Sequence, residues 1–423
     1  MGADQMPVQV STTGRRALVL VLSLLGMFAA SGPVPARADL PAYFISGSAD
    51  STMKLWRTSD GACLRTYHGH DENVRSVKIF DDGQRMFTGS WDQTLKQWLI
   101  DDGSVLRTYM GHTDQVFSVD IMPDQEHALS GAFDNTIRLW RLSDGACLRT
   151  LTGHTDGIRS IKITPDGQYV LSGSEDRTMK LWRISDGECV RTFTGHTNWV
   201  GSVDISPDGQ RALSGSLDGT MKLWRIADGE CLRTFTGHSD WVRSVTFFPD
   251  GNQAMSTSSD QTLKQWDLDD GTCIRTFYGH TNNVCPVIVS PDGQHALSAS
   301  WDLTIKLWRI ADGECLRTFT GHTQRICAVT WYAGDPAGLP EWIDREAFIV
   351  YPNPNAGQFW ITGLGEDADI RVIDLLGRII KQIRGDRGAD PLSLDRPGIY
   401  FVTAASAGRS MTRKVIVCPE HRP

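Results

Sequence analysis

A chain of 423 residues, 40% apolar and 22% charged, has room for two or three domains and the composition of an ordinary globular protein. Its formal charge of −8 argues against a general nucleic-acid binder, which needs a basic face. Residues 1–38 set Asp4 against Arg15, Arg16 and Arg37, a net +2, so the remainder of the chain stands at −10.

The first element in chain order is a leader. Arg15-Arg16 precede an apolar run from Ala17 to Ala30, and Ala36-Arg37-Ala38 supplies a small-residue cleavage site. This is the pattern of a signal peptide over 1–38, with cleavage expected after Ala38. The run is short for a transmembrane helix, so no membrane span is expected after cleavage. The paired arginines leave general and twin-arginine export both open.

From residue 39 the chain is periodic. Gly-His recurs seven times at intervals of 42 residues, from Gly69-His70 to Gly321-His322, and a tryptophan keeps the same period from Trp56 to Trp308. One period, Leu148 to Cys189, holds four short apolar runs separated by Gly-His, Pro-Asp-Gly, an Asp-centred turn and Asp-Gly. Those dipeptides are hairpin punctuation. Units of this length bury their apolar faces only by stacking on neighbours. Four antiparallel strands per period, repeated, predict an all-β, seven-bladed propeller over 39–334.

Three more residues keep register in each period. They are a Ser or Thr (Ser172, Ser214), an Asp four positions on (Asp176, Asp218), and the Trp six further (Trp182, Trp224). On these residues the chain resembles the WD-repeat family, although only Trp266 is followed by the name-giving aspartate, Asp267. The resemblance implies a structural tetrad in each blade, such as His154, Ser172, Asp176 and Trp182, or His196, Ser214, Asp218 and Trp224. Indole donates to hydroxyl, hydroxyl to imidazole, and imidazole to carboxylate, so each buried polar group is answered. Ser, His and Asp also spell a hydrolase triad, but an active site is a single constellation and this one repeats in every period.

The two ends of the array complement each other. His322 lacks a Ser, Asp and Trp downstream, and Ser46, Asp50 and Trp56 lack a Gly-His upstream. The strand after His322, near Ile326 to Trp331, is therefore expected to join strands near Ala42 to Ser46, Met53 to Arg57 and Cys63 to Tyr67 in one composite blade. Such closure removes the open edges of a linear array.

After a Pro/Gly/Asp-rich linker, assigned to 335–347, the texture changes. Tyr351-Pro352-Asn353-Pro354, Asp374-Leu375-Leu376-Gly377, Gly398-Ile399-Tyr400 and Lys414-Val415 give residues 348–418 a close resemblance to the type A C-terminal sorting domain of the type IX secretion system. The alternating strands and turns of that stretch read as a small β-sandwich. The resemblance implies passage across an outer membrane by that machinery, followed by removal of the domain or its exchange for a surface anchor. The expected location is secreted or cell-surface anchored.

Nine cysteines in an exported chain invite a disulfide reading. Six of them, Cys63, Cys147, Cys189, Cys231, Cys273 and Cys315, occupy one position of the period, which Val105 fills in the seventh copy. Equivalent sites on neighbouring outer strands lie beyond bridging distance, and a residue that alternates with Val reads as a small buried apolar group. Free, buried thiols are expected. Cys285 and Cys327, on inner strands of adjacent blades, are the pair closest to bridging geometry.

Specificity is expected where the periods stop agreeing. The Pro-Asp-Gly end is uniform, whereas the Gly-His end varies. Three residues after each His stand Asn73, Gln115, Gly157, Trp199, Trp241, Asn283 and Arg325, and five after stand Arg75, Phe117, Arg159, Gly201, Arg243, Cys285 and Cys327. Before each turn Asp stand Ala49, Trp91, Phe133, Glu175, Leu217, Ser259 and Trp301. The family resemblance places these positions around the channel mouth on the top face, where partners dock. The candidate partner site is therefore Arg75, Trp91, Phe117, Phe133, Arg159, Trp199, Trp241, Arg243, Trp301 and Arg325, residue types that dominate interfaces.

A protein or peptide is the expected partner. Trp91, Trp199, Trp241 and Trp301 are also suited to stack on sugar rings, and a rigid surface spacer needs no partner at all. Outside the periodic histidines only His68, His127, His295 and His421 remain, with His127 and His295 expected at the start of an outer-lying strand. No HExxH, Cys-x-x-Cys, Walker A or nucleophile-elbow motif occurs. The reading is a non-catalytic scaffold with no cofactor and no metal.

Overall fold

The computed structural model describes residues 40–332 without a break and, beyond them, residues 349–351, 358–362, 369–374, 378–384, 392–393, 398–406 and 409–417. The expected leader 1–38 and linker 335–347 lie outside the described residues, as do Pro352, Asn353, Pro354, Leu375, Leu376, Gly377 and Cys418.

Residues 43–332 fold into seven four-stranded antiparallel sheets. One blade runs Ile158–Ile163, Tyr169–Ser174, Met179–Arg183 and Cys189–Phe193, with hydrogen-bonded neighbours in that order. The first strand of each blade touches the first strands of both neighbouring blades around the whole circle, so these seven strands line a central channel. Tyr169–Ser174, between them and the outside, is buried on both faces over five of its six residues. On the outermost strand only Phe193 is fully buried.

The core sits between blades. Each of seven apolar clusters joins residues of two adjacent sheets, as Leu171, Met179, Leu181 and Phe193 meet Val200, Val203, Ile205 and Trp224 of the next blade. Burying an aromatic side chain of this kind contributes about 1.5–3 kcal/mol. Two glycines make the packing possible. Gly153 has φ +146, and a Cβ there would lie 3.1 Å from the Trp182 ring. A Cβ on Gly173 would lie 2.8 Å from Val200 of the following blade.

Polar staples reinforce the seams. At all seven, an arginine on the outermost strand donates to backbone carbonyls of the next blade's last turn, as Arg149 does to Asp186 at 2.7 Å and Ser185 at 2.8 Å. On the channel side, the hydroxyls of Ser76, Ser118, Ser160, Ser202 and Ser244 each accept the N–H of a residue on the following innermost strand.

The ring closes as the two ends of the array require. Ile326–Tyr332 pairs antiparallel with Tyr43–Ser48, which continues to Met53–Arg57 and Cys63–Tyr67. Arg317 then bonds the carbonyls of Asp60 at 2.9 Å and Ser59 at 2.7 Å, so the last seam carries the same clamp as the others.

The C-terminal segment forms two antiparallel sheets. Ile349–Tyr351, Gln358–Thr362 and Leu392–Ser393 make one, and Ile379–Arg384, Asp369–Asp374, Gly398–Ser406 and Arg409–Val417 make the other. Among the described residues there is no helix, and so none long and apolar enough to cross a membrane.

Two expectations are corrected. The six periodic cysteines are free thiols, but they are exposed, not buried. Each lies on a free outer edge where the ladder slips at the tryptophan, as between Leu181 and Trp182, which turns the side chain outward. Cys285 and Cys327 are also free, the first half-buried and the second buried. His127 and His295 begin the second strand of their blades, next to the channel strand and away from the outer edge.

Candidate functional site

Seven tetrads lie near the top of the blade seams. In the blade of residues 158–193, Trp182 Nε1–H donates to Ser172 Oγ at 2.8 Å, His154 Nε2 stands 2.7 Å from that oxygen, and His154 Nδ1 stands 2.6 Å from Asp176 Oδ2. The Asp176 carboxylate also accepts the Thr155 and Thr178 backbone N–H groups and the Thr178 hydroxyl. In the next blade His196, Ser214, Asp218 and Trp224 repeat the set at 2.7, 2.7 and 2.8 Å. The closing blade builds its own from Ser46, Asp50, Trp56 and His322, at 2.8 Å for each link, across 276 positions of chain.

The electrostatics follow from this wiring. Burial would raise the Asp92 carboxyl, but hydrogen bonds from His70 and Thr94 outweigh it and hold the acid well below the usual range. The other six tetrad aspartates shift the same way for the same reasons. Burial pushes the His70 and His112 imidazoles down, which favours the neutral ring. A neutral imidazole with Nδ1–H toward the carboxylate and Nε2 accepting from the hydroxyl satisfies every member.

At the top mouth of the channel one bowl of about 270 Å³ gathers all ten residues of the candidate partner site, with Gln115 and Leu217 completing its wall. Two backbone devices aim these side chains. The first is a β-bulge on the innermost strand of each blade. The ladder skips one residue at Arg75, Phe117, Arg159, Gly201, Arg243 and Cys327, and two at Cys285 and Pro286. Bulges re-aim a side chain out of the alternating pleat. The second is a backbone bond between the two remaining rim positions of a blade, as from Trp91 N–H to the Asn73 carbonyl at 3.0 Å and from Leu217 N–H to the Trp199 carbonyl at 2.9 Å.

Arginines and rings alternate along the mouth. The Arg243 guanidinium lies 5.2 Å from the Trp241 ring and 4.6 Å from Trp301. Arg325 lies 5.0 Å from Trp301 and 5.1 Å from Trp91. Arg75 lies 5.9 Å from Trp91 and 4.7 Å from Phe117, and Arg159 continues to Phe117, Phe133 and Trp199 at 5.3, 5.4 and 4.8 Å. The series breaks only where Gly201 and Leu217 stand, between Trp199 and Trp241. Each such contact is worth about 0.5–2 kcal/mol and holds the cation against its ring.

The comparisons with known proteins agree with this architecture. A sequence profile described as "WD domain, G-beta repeat" matches residues 61–98, 103–141, 145–183, 187–225, 229–267 and 271–309, more than half of the chain. The chain belongs to the WD40 repeat family. Six WD40 repeats are matched where seven blades exist because the seventh is assembled from both ends of the array. A second profile, "Secretion system C-terminal sorting domain", matches residues 349–418.

Similar proteins include "Guanine nucleotide-binding protein subunit beta" of Arabidopsis thaliana, 51% identical over 49 residues, which are 11% of this chain and 13% of that protein. The Zea mays protein of the same description is 53% identical over 47 residues, 11% of this chain and 12% of its own length. A "Lissencephaly-1 homolog" of Heterostelium pallidum is 44% identical over 46 residues, 11% of each chain. The matched part spans about an eighth of these relatives, little more than one WD40 repeat.

Within the WD40 ring, three bowl features were absent from the expected set. Gln115 and Leu217 stand at variable positions of the period but carry neither an aromatic ring nor a guanidinium. Glu175 and Ser259 act from the rim, where Arg159 Nε donates to Glu175 at 2.6 Å and Arg243 Nε donates to Ser259 Oγ at 2.6 Å. The bulges themselves leave no sequence signal beyond the period. Among the described residues, no group of three His, Cys, Asp or Glu is placed to hold a metal ion.

Proposed function

We propose that this WD40 propeller is a non-catalytic, exported binding module whose top bowl receives a protein or peptide partner. The observation that carries the reading is the gathering of Arg75, Trp91, Phe117, Phe133, Arg159, Trp199, Trp241, Arg243, Trp301 and Arg325 around one cavity. Aromatics and arginines dominate interface energetics, and their density here contrasts with the single tetrad wiring repeated in every blade. The guanidiniums favour a peptide over a neutral glycan, which would leave their charge unanswered.

The same proposal assigns residues 1–38 to a signal peptide, 39–334 to the propeller, 335–347 to a linker and 348–418 to a sorting domain that delivers the protein to the cell exterior or surface. Support for export comes from the sorting-domain match at 349–418 and from the basic-apolar pattern of the leader.

The test is capture of surface proteins by the secreted protein, beside a variant carrying Trp91→Ala, Trp199→Ala, Trp241→Ala and Trp301→Ala with a matching melting temperature. Capture by the parent and not by the variant is expected. Equal capture by both refutes the top bowl as the site, and capture of glycans alone refutes the protein-partner reading.

A further inference from the structure

Resting on the reading of the bowl as a partner site, we propose that its occupant is an acidic peptide segment, with a carboxylate seated among Arg75, Arg159 and Arg243 and an apolar flank against the surrounding rings.

Three observations carry this. The first is charge. The twelve described residues that line the bowl include four arginines and no aspartate or glutamate, although the whole chain is acidic at −8. Arginine stays protonated in proteins, so the cavity concentrates positive charge inside a negative molecule. A cleft of one sign with apolar walls focuses its field on an incoming ion of the other sign.

The second is mutual strain among the cations. Burial, with the charges of Arg75 and Arg243, pulls the Arg159 guanidinium below the ordinary arginine range even though Glu175 opposes it. Burial acts on Arg243 in the same direction, joined by Arg75 and Arg325. These bulge arginines come from alternate blades and line a common floor beneath the rim. Like charges are held together there by fixed stacking, an arrangement that an anion would relieve.

The third is an unanswered donor. Arg159 and Arg243 each find an acceptor on the rim residue of their own blade, Glu175 and Ser259. The corresponding rim residue beside Arg75 is Trp91, whose indole accepts nothing. Among the described residues Arg75 Nε is buried with no hydrogen-bond partner, and so is Trp91 Nε1. Both call for an acceptor that the described residues do not supply. A carboxylate takes up to four hydrogen bonds and pairs with guanidinium in a bidentate fork.

The probes are three labelled peptides titrated against the full-length mature protein by fluorescence anisotropy. One is a glutamate-rich hexapeptide with both termini blocked, one is its glutamine counterpart, and one is the glutamine peptide with a free C-terminal carboxylate. We expect one of the two carboxylate-bearing peptides to bind at least tenfold more tightly than the blocked glutamine peptide. The blocked glutamate peptide leading assigns a side-chain carboxylate, and the free-terminus peptide leading assigns a chain end. Arg75→Gln is expected to erase the preference and Arg75→Lys to keep part of it, with melting temperatures matched.

Equal affinity for all three peptides, no binding at millimolar concentration, or a preference untouched by Arg75→Gln would overturn the proposal. The reading beneath it fails separately. A partner captured by the parent and lost in the tryptophan variant, but indifferent to the arginine substitutions, leaves the bowl a partner site with a different chemistry.

Discussion

The tetrads and the bowl both bury indole N–H and other nitrogen donors, and treat them oppositely. In a tetrad each donor meets an acceptor, and one aspartate such as Asp176 collects four bonds. In the bowl Arg75 Nε and Trp91 Nε1 are buried and unanswered among the described residues. A satisfied polar network holds a structure in one state, whereas an unsatisfied one is held in place by its surroundings and gains from a ligand. The repeated wiring supports the ring, and the departures from it gather at the bowl.

The most destructive way to break that contrast is to remove part of the closing blade. Deleting residues 40–60 takes away Ser46, Asp50 and Trp56 and orphans His322. It is expected to abolish cooperative unfolding altogether, and a native-like calorimetric transition would contradict closure as a condition of stability.

Acid tests the tetrads next. Folding lowers the tetrad aspartate pKa values, so their stabilisation is complete above about pH 4 and drains away as the pH falls below it. His70 and His112, lowered by burial, add a smaller loss that begins below about pH 6.5. Urea midpoints measured from pH 7 to pH 3 are expected to fall gently and then steeply. A midpoint flat to pH 3 would remove the tetrads from the stability account.

Two single substitutions sharpen the comparison at smaller scale. Trp182→Ala opens a cavity at a residue 1% exposed and is expected to cost about 3–5 kcal/mol. Trp241→Ala, at a residue 42% exposed on the rim, is expected to change stability by less than about 1 kcal/mol while weakening partner capture. Equal losses in thermal unfolding would dissolve the distinction between the two regions.

Much of this was legible in the sequence because a strict period exposes both what repeats and what does not. Four strands per blade, their order, and the pairing of His322 with Ser46 all follow from register. The ten bowl residues were legible for the same reason, as departures from the period at three fixed offsets. What register could not convey was direction. Bulges at Arg75, Arg159 and Arg243 depend on how one strand slips against its neighbour, which leaves no mark in residue type. The cysteines misled because alternation with valine signals an apolar position, yet the outermost strand carries apolar residues outward as well, as the exposure of Val105 and Leu106 shows. Gln115 and Leu217 escaped because neither carries charge or an aromatic ring.

The composite blade can close only when both ends of the array are present. Its channel strand, Ile326–Tyr332, is made after the other three of its strands and after the six intervening blades. The first strands to leave the ribosome therefore wait, with an open edge, for the last. Bringing ends this distant together is entropically slow, so a chain held up before residue 332 has no ring to fold into.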